Sequence, residues 1–518
     1  MTKNIFITAL AFFAITANAQ SPSDKLWHLQ PYSKTGNSGI GLEEAKELVK
    51  GKTPETVIVA IADAGVDIEH PDLKTMLWTN KDEIPDNGID DDNNGYIDDV
   101  YGWNFCGETT FDNMELTREY ARLNAKYELQ IRHLTNVAEY NRYLELKEKY
   151  LKEHEEAKQT FGILELIMGG MEALEENHGE EMTIEEVQNH TPRNKKEQIA
   201  KNILLANAKR SKDPFDFKAL KDEMQEGYDH YDFMYNYAYN ANFDPREKKV
   251  GDDYANATET GYGNNKVYYG ERFSNHGTHV AGIVAADASN DFGAEGICQS
   301  CEIMSIRNVP EGDERDKDVA NAIRYAADNG AKIVNMSFGK GYAYRPEVVQ
   351  DAIRYAESKG VLLIHAAGNS GQNNDESDNF PNDNNDAYNN WIEVGASNWE
   401  EKPAALAVFS NYGKQEVDLF APGVAIYSTT PEGQYEAFDG TSMASPVVAG
   451  VAAFVWSYYP TLTAAQLKEI LVNSAIPIKG RNRIPGSRRK KGVKKLSKTG
   501  GEVNLPAALI LAELMLNK

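Results

Sequence analysis

Three short strings rich in glycine, alanine and hydroxyl residues constrain this chain more than anything else in it. They are Asp63-Ala64-Gly65-Val66, His276-Gly277-Thr278-His279-Val280-Ala281-Gly282 and Gly440-Thr441-Ser442-Met443-Ala444-Ser445-Pro446. Each contributes one member of an Asp/His/Ser set. A serine hydroxyl is a poor nucleophile until an imidazole takes its proton, and the imidazole needs a buried carboxylate to fix its tautomer. A fold that uses the set must bring residues 63, 276 and 442 to one point, and small residues around them let backbone segments approach closely.

The order Asp, His, Ser along the chain is one of several in which such triads occur. The three strings resemble those of the subtilisin-like (subtilase, S8-type) serine peptidases, and the resemblance covers about residues 54–105 and 245–515. It implies a serine endopeptidase that works through an acyl-enzyme, with Asp63 as orienting carboxylate, His276 as general base and Ser442 as nucleophile. It also implies that Asn369, in Ala366-Ala367-Gly368-Asn369, donates to the oxyanion, and that Ser337, Phe338, Gly339 and Gly368 lie along an extended substrate. Phe338 would narrow or line a subsite. His279 would pack its helix and is not the base. Ala64 departs from the family pattern, which has Ser or Thr there, so a hydroxyl near the Asp63 carboxylate is missing. The resemblance implies no cofactor for catalysis, and protein or peptide substrates. A catalytically silent relative and a peptide ligase are two alternative readings that keep the same residues.

Periodicity places these residues on an α/β frame. Thr56–Ala62 is a continuous, largely β-branched run ending at Asp63, as expected of a buried parallel strand. Strands are predicted at Ile303–Val309, Lys332–Met336, Val361–Ala367, Trp391–Ala396 and Glu416–Phe420. Helices are predicted at Lys317–Asn329, Glu347–Ser358 and from Ser442 to about Tyr459. The alternation implies a subtilisin-like three-layer fold, a parallel sheet between helices. Ligands in such sheets bind beyond the carboxyl ends of strands, where Asp63, Ser337 and Asn369 fall.

Between residues 107 and 244 the composition shifts to Glu, Lys, Leu and Tyr and glycine becomes scarce. This reads as a long helical insertion in a catalytic domain spanning 20–518. A helix is expected from Met114 to Met171 with a break at Gly169-Gly170, then shorter ones at Ile184–Asn189, Lys195–Arg210 and Phe217–Tyr228. A solvated spacer, a lid, an inhibitory arm and a docking surface all fit it, and the sequence names no partner.

Asp90, Asp92, Asn94 and Asp98 fall at alternating positions of an EF-hand-like loop, with Gly95 permitting the sharp turn. Tyr101 stands where a bidentate glutamate would be, which excludes a full EF-hand and leaves a structural Ca²⁺ loop as the expectation. Residues 1–19 read as a secretory signal peptide: Lys3, an apolar Ile5–Ile15, and Ala17-Asn18-Ala19 before Gln20. Export to the periplasm or beyond the cell follows. No later stretch is apolar enough for a transmembrane anchor. Cys298 and Cys301 fit either a local disulfide or two thiols, and Cys106 is left over. A formal net charge of −25 argues against nucleic acid as a partner. Some forty residues precede the first core strand, too few for a folding propeptide, and no module is expected after the closing Gly500-Gly501-Glu502-Val503-Asn504 helix motif. Arg488–Lys498 is read as a solvated basic loop.

Overall fold

A computed structural model describes residues 25–31, 39–128, 136–211, 214–290, 292–384, 387–399 and 405–517. The expected signal peptide lies outside the described residues. The chain divides into two compact units, Gln20–Thr110 with Pro245–Lys518, and Phe111–Asp244.

In the first unit the strands are, in chain order, β1 Val57–Asp63, β2 Gly102–Asn104, β3 Cys301–Arg307, β4 Ile333–Met336, β5 Leu362–Ala366, β6 Trp391–Ser397 and β7 Leu419–Pro422. They continue with β8 Ile426–Thr430, β9 Gln434–Phe438, β10 Ile476–Pro477, β11 Arg481–Arg483, β12 Lys490–Gly492 and β13 Gly501–Glu502. Among the described residues nine strands form one sheet in the order β2-β3-β1-β4-β5-β6-β7-β13-β10. Its pairs are parallel except β10 against β13. The chain leaves β1 toward β3 on one side and returns to β4 on the other. The carboxyl ends of β1 and β4 are therefore a topological switch point, where a crevice opens. Two ribbons, β8–β9 and β11–β12, lie apart from the sheet; the expected basic loop forms part of the second.

The helices of this unit are α1 Leu42–Leu48, α2 Glu271–Ala285, α3 Asp316–Asp328, α4 Pro346–Ser358, α5 Thr441–Tyr458, α6 Ala464–Ser474 and α7 Leu505–Leu516. Alternation along β1 sorts them into two layers. Val57, Val59 and Ile61 pack with Val280 and Val284 of α2 and Val447 and Val451 of α5. Ala60 and Ala62 pack with Val319 and Ile323 of α3 and Val349 and Ile353 of α4. Asp63 continues the odd series, so its side chain faces the layer that carries the histidine and serine motifs. Helix α5 is apolar on all sides because it is enclosed on all sides, buried from Met443 to Ser457.

The second unit is helical, as Glu115–Tyr127, Val137–His178, Ile184–Asn189, Lys195–Arg210 and Phe217–Phe233. Side chains of Asn136, Thr183, Asn194 and Asp216 cap four of these. Leu164, Met168, Met171, Leu174, Leu204 and Phe217 give the unit its own core. The expected break at Gly169-Gly170 is absent, and the 42-residue helix runs through it. The pair permits close approach instead. A Cβ at Gly170 would stand 2.3 Å from the Lys196 carbonyl oxygen and 2.8 Å from the Ala200 Cβ, so a side chain there would push the next helix away. No helix among the described residues is long and apolar enough to cross a membrane.

Candidate active site

Asp63 ends β1 and is 2% exposed. Its Oδ1 accepts from the Ala64 N–H (2.7 Å) and from His276 Nδ1 (2.8 Å). A carboxylate only accepts, so Nδ1 carries the proton and Nε2 is left as the acceptor, the tautomer a general base needs. Asp63 Oδ2 is buried and finds no partner among the described residues. His276 lies in the second turn of α2 with 40% of its side-chain surface open. Burial of the ring pulls its pKa down, but the charge and hydrogen bond of Asp63 outweigh it, and the value is raised above 6.5. His279, by contrast, is fully buried and stacked on Phe438 with ring centroids 4.2 Å apart. Burial lowers its pKa to about 3, so it stays neutral.

Ser442 is the second residue of α5. Pro446, four residues on, has no N–H, so the Ser442 carbonyl lacks its usual helical donor. The Ser337 hydroxyl fills that role at 2.8 Å, and the Ser442 hydroxyl donates in return to the Ser337 carbonyl at 3.1 Å. Ser337 follows β4, whose Met336 is in register with Ala62 of β1. Ser337 and Asp63 are thus neighbouring strand ends, and through them the fold gathers Ser442 and His276 at the switch point. The serine rests on Ser337, not hydrogen-bonded to His276, and a rotation about its Cα–Cβ bond must precede proton transfer. Asn335, fully buried in β4, fixes this arrangement: its Nδ2 donates to Ser337 Oγ (2.9 Å) and its Oδ1 accepts from Ser445 Oγ (2.7 Å). A polar residue in an apolar strand was the signal in the sequence for Asn335.

The Ser442 N–H, in the first turn of α5, has no acceptor among the described residues, and the helix dipole adds positive potential there. Asn369 accepts at Oδ1 from the Thr441 N–H and from Thr441 Oγ1, both at 2.9 Å. A backbone N–H can only donate, so the amide is oriented with Nδ2 pointing the other way, free to donate. Thr441 Oγ1 also accepts from the Gly368 N–H at 3.1 Å. Thr441 therefore clamps the segment that presents Asn369, a role sequence reading did not assign.

Ser337 is buried and Gly339 exposed at the edge leading from β4. The Phe338 ring packs on the α3/α4 side of the sheet, its centroid 6.2 Å from that of His365. It props the edge from beneath. Asn379 stands between Gly339 and Gly368: Cβ atoms there would lie 2.6 Å and 3.7 Å from its Oδ1.

The acidic loop differs from its expectation. Glu83, Asp90 and Asp92 each present an oxygen, all within 4.8 Å of one another. Asp98 turns away, both its oxygens accepting from the N–H groups of Asn87 and Gly88. Asn94 directs its amide nitrogen at Asp92 and Asp99, while its oxygen accepts from the Tyr96 N–H. Glu83, outside the repeat that the sequence displayed, completes this group, its oxygens also accepting from the N–H groups of Asp91, Asp92 and Asp98. Cys298 and Cys301 form a disulfide, and Cys106 is buried apart from it.

The model of the Subtilase family (Peptidase_S8) matches residues 55–502. The chain belongs to that family. Over 185 residues this subtilase is 42% identical to the thermophilic serine proteinase of Bacillus sp. (strain AK1), covering 36% of the chain and 43% of that relative. Over 202 residues it is 36% identical to subtilisin DY of Bacillus licheniformis, 39% of the chain and 70% of the relative. Thermitase of Thermoactinomyces vulgaris is 37% identical over 206 residues, 40% and 68%. The match therefore spans less than half the length of the first of these relatives. Among solved structures, the protease domain of PatA aligns with a TM-score of 0.38 and 28% identity over 47% of the chain and 82% of that domain.

Proposed function

We propose that this subtilase is a serine endopeptidase hydrolysing peptide bonds of proteins or peptides through an acyl-enzyme on Ser442. The observation that carries the reading is the 2.8 Å hydrogen bond from His276 Nδ1 to buried Asp63, beside a helix N-terminus that presents Ser442. The Ser442 hydroxyl turns from the Ser337 carbonyl to His276 Nε2, gives up its proton there and attacks the scissile carbonyl. The oxyanion is met by the Ser442 N–H and Asn369 Nδ2. His276 then returns the proton to the leaving amine, and a water activated by the same ring releases the acid. Fluorophosphonate labelling of Ser442 tests the reading. Ser442→Ala should lower turnover by ~10⁶ with an unchanged circular dichroism spectrum, because triad members act as a unit. Near-normal hydrolysis by that variant would sink it.

Export is proposed from the leader-like residues 1–19, and the Cys298–Cys301 disulfide suits an oxidising compartment. N-terminal sequencing of the mature chain should begin at Gln20. A structural Ca²⁺ is also proposed, at Glu83, Asp90 and Asp92. Oxygens around Ca²⁺ sit about 2.3–2.6 Å from the ion, so facing ligands are up to roughly 5 Å apart, and the 4.8 Å cluster fits.

A further inference from the structure

A substrate carbonyl held between Ser442 Oγ and Asn369 Nδ2 fixes where its own residue, P1, must put its side chain. That side chain enters between the two segments flanking the nucleophile, 337–339 and 368–369. The floor of that gap is Asn379, whose Oδ1 faces Gly339 and Gly368. Its Nδ2 donates to the Ala366 and Ala367 carbonyls, both at 3.2 Å, and to Glu393 Oε1 at 3.3 Å. Asn379 and Glu393 also line a cavity of about 260 Å³, which therefore lies directly behind the Asn379 side chain.

Six of the ten residues lining the cavity are acidic, Asp375, Glu376, Asp378, Asp383, Glu393 and Glu416, and none is basic. The Asp378 and Glu416 carboxylates neither accept a hydrogen bond from nor pair with any described residue. Burial, then the charges of Asp383 and Glu393, push Glu416 up to about 7, against an opposing pull from Lys498. Lys498 itself is engaged by Asp418 at 3.1 Å. A neutral acceptor adds to the set. Asn374, 9% exposed, donates Nδ2 to the Ala367 carbonyl at 2.9 Å, which leaves its Oδ1 buried on the cavity wall without a partner. The volume is many times what one bare ion or water fills, and suits a long side chain ending in a cation.

We propose that this cavity is the P1 subsite and that it selects lysine and arginine, with Asn379, Asp378 and Glu416 as specificity-determining residues. The inference rests on the peptidase reading above and deepens it. An aliphatic stem passes between Gly339 and Gly368, and its ammonium or guanidinium meets Asn379 Oδ1 and then the carboxylates. An apolar P1 residue would leave half-buried Asn379 Oδ1 and Glu416 covered and unmatched and would gain nothing from the exposed Asp378 carboxylate.

The test uses the purified full chain and a peptide series that varies only P1 among Arg, Lys, Met, Leu, Phe and Glu. Cleavage sites in casein, read by mass spectrometry, give an independent profile. The expected result is kcat/KM for Arg and Lys at least about tenfold above Met, with Glu lowest. In Asp378→Asn/Glu416→Gln, checked for folding by its melting curve, the Arg-to-Met ratio should fall by about tenfold. Ser442 labelled by fluorophosphonate together with a preference for Leu or Phe overturns this inference alone. A ratio unchanged in the folded double variant removes the cavity carboxylates from the role. Absence of labelling ends the peptidase reading and this inference with it.

Discussion

Thr441 offers a clean perturbation of the proposed oxyanion site, because its hydroxyl bonds Asn369 Oδ1 and the Gly368 N–H. In Thr441→Val the shape is kept and one hydroxyl is lost. Of the two donors that hold Asn369 Oδ1, the Thr441 Oγ1 bond at 2.9 Å disappears and the backbone N–H bond at 2.9 Å stays. The amide keeps its orientation but is held by one bond in place of two. A single hydrogen bond is worth about 0.5–1.5 kcal/mol net, which converts to a loss of roughly 2- to 13-fold in kcat. Deleting the donor itself, in Asn369→Leu, should cost about 10²–10³. KM should barely move in either, since the oxyanion exists only beyond the ground state. The part-buried Gly368 N–H also loses its acceptor, so stability should fall by about 1 kcal/mol. The assay is steady-state kinetics on one peptide, with urea unfolding alongside, for both singles and the double. Because Thr441 works through Asn369, adding Thr441→Val to Asn369→Leu should cost no further kcat. Fully additive losses, or a kcat for Thr441→Val equal to wild type, would refute the clamp.

Three further outcomes are expected. With Asp63→Asn, burial of the His276 ring remains while the carboxylate that raises its pKa is gone, so the pKa should drop below 6.5; since activity needs the neutral ring and is lost as pH falls through that pKa, the acid limb of kcat/KM should lie above 6.5 in wild type and move to lower pH in the variant, with kcat down by about 10⁴. Ca²⁺ at about 100 times its Kd should stabilise the chain by roughly 2.7 kcal/mol against chelator, a gain abolished in Asp90→Asn/Asp92→Asn but kept in Asp98→Asn, whose carboxylate caps residues 87 and 88 instead; equal melting with and without Ca²⁺ in wild type would show a metal-free cluster. Gly162→Ala, with nothing within 4 Å of its new Cβ, should stabilise the Val137–His178 helix by about 1 kcal/mol, whereas Gly170→Ala should destabilise it despite the same gain in propensity, as read by hydrogen exchange.

What was legible in the sequence follows from how local each signal is. The apolar run ending at Asp63 and the Ser442 helix are contiguous and buried on all sides, so composition alone marks them. Strand β2, three residues long, and the β8–β9 ribbon, whose first strand is mostly buried and whose second is exposed or half-buried throughout, carry too short or too mixed a pattern to register. The Gly169-Gly170 pair misled because glycine has two uses. It breaks a helix when nothing supports the backbone, and it admits a neighbour when something does. Only the neighbour, here the helix beginning at Lys195, distinguishes them.

The same distinction separates the chemistry of the site from its selectivity. Asp63, His276, Ser442 and Asn369 each sit in a short string whose small neighbours are needed for close approach, so the string announces the residue. The groups that hold them were less visible: Ser337 donates to a carbonyl that Pro446 frees, a link between positions over a hundred residues apart. The acidic cavity was invisible for a different reason. Residues 374–383 carry no motif in the sequence, and Glu393 and Glu416 fall in the expected strands Trp391–Ala396 and Glu416–Phe420. Their carboxylates gain meaning only when the sheet sets all of them behind Asn379. On the proposed reading, bond-making is written in contiguous motifs and the choice of side chain to be cleaved in loops that the sheet brings together, so a variant of those loops should change the second without erasing the first.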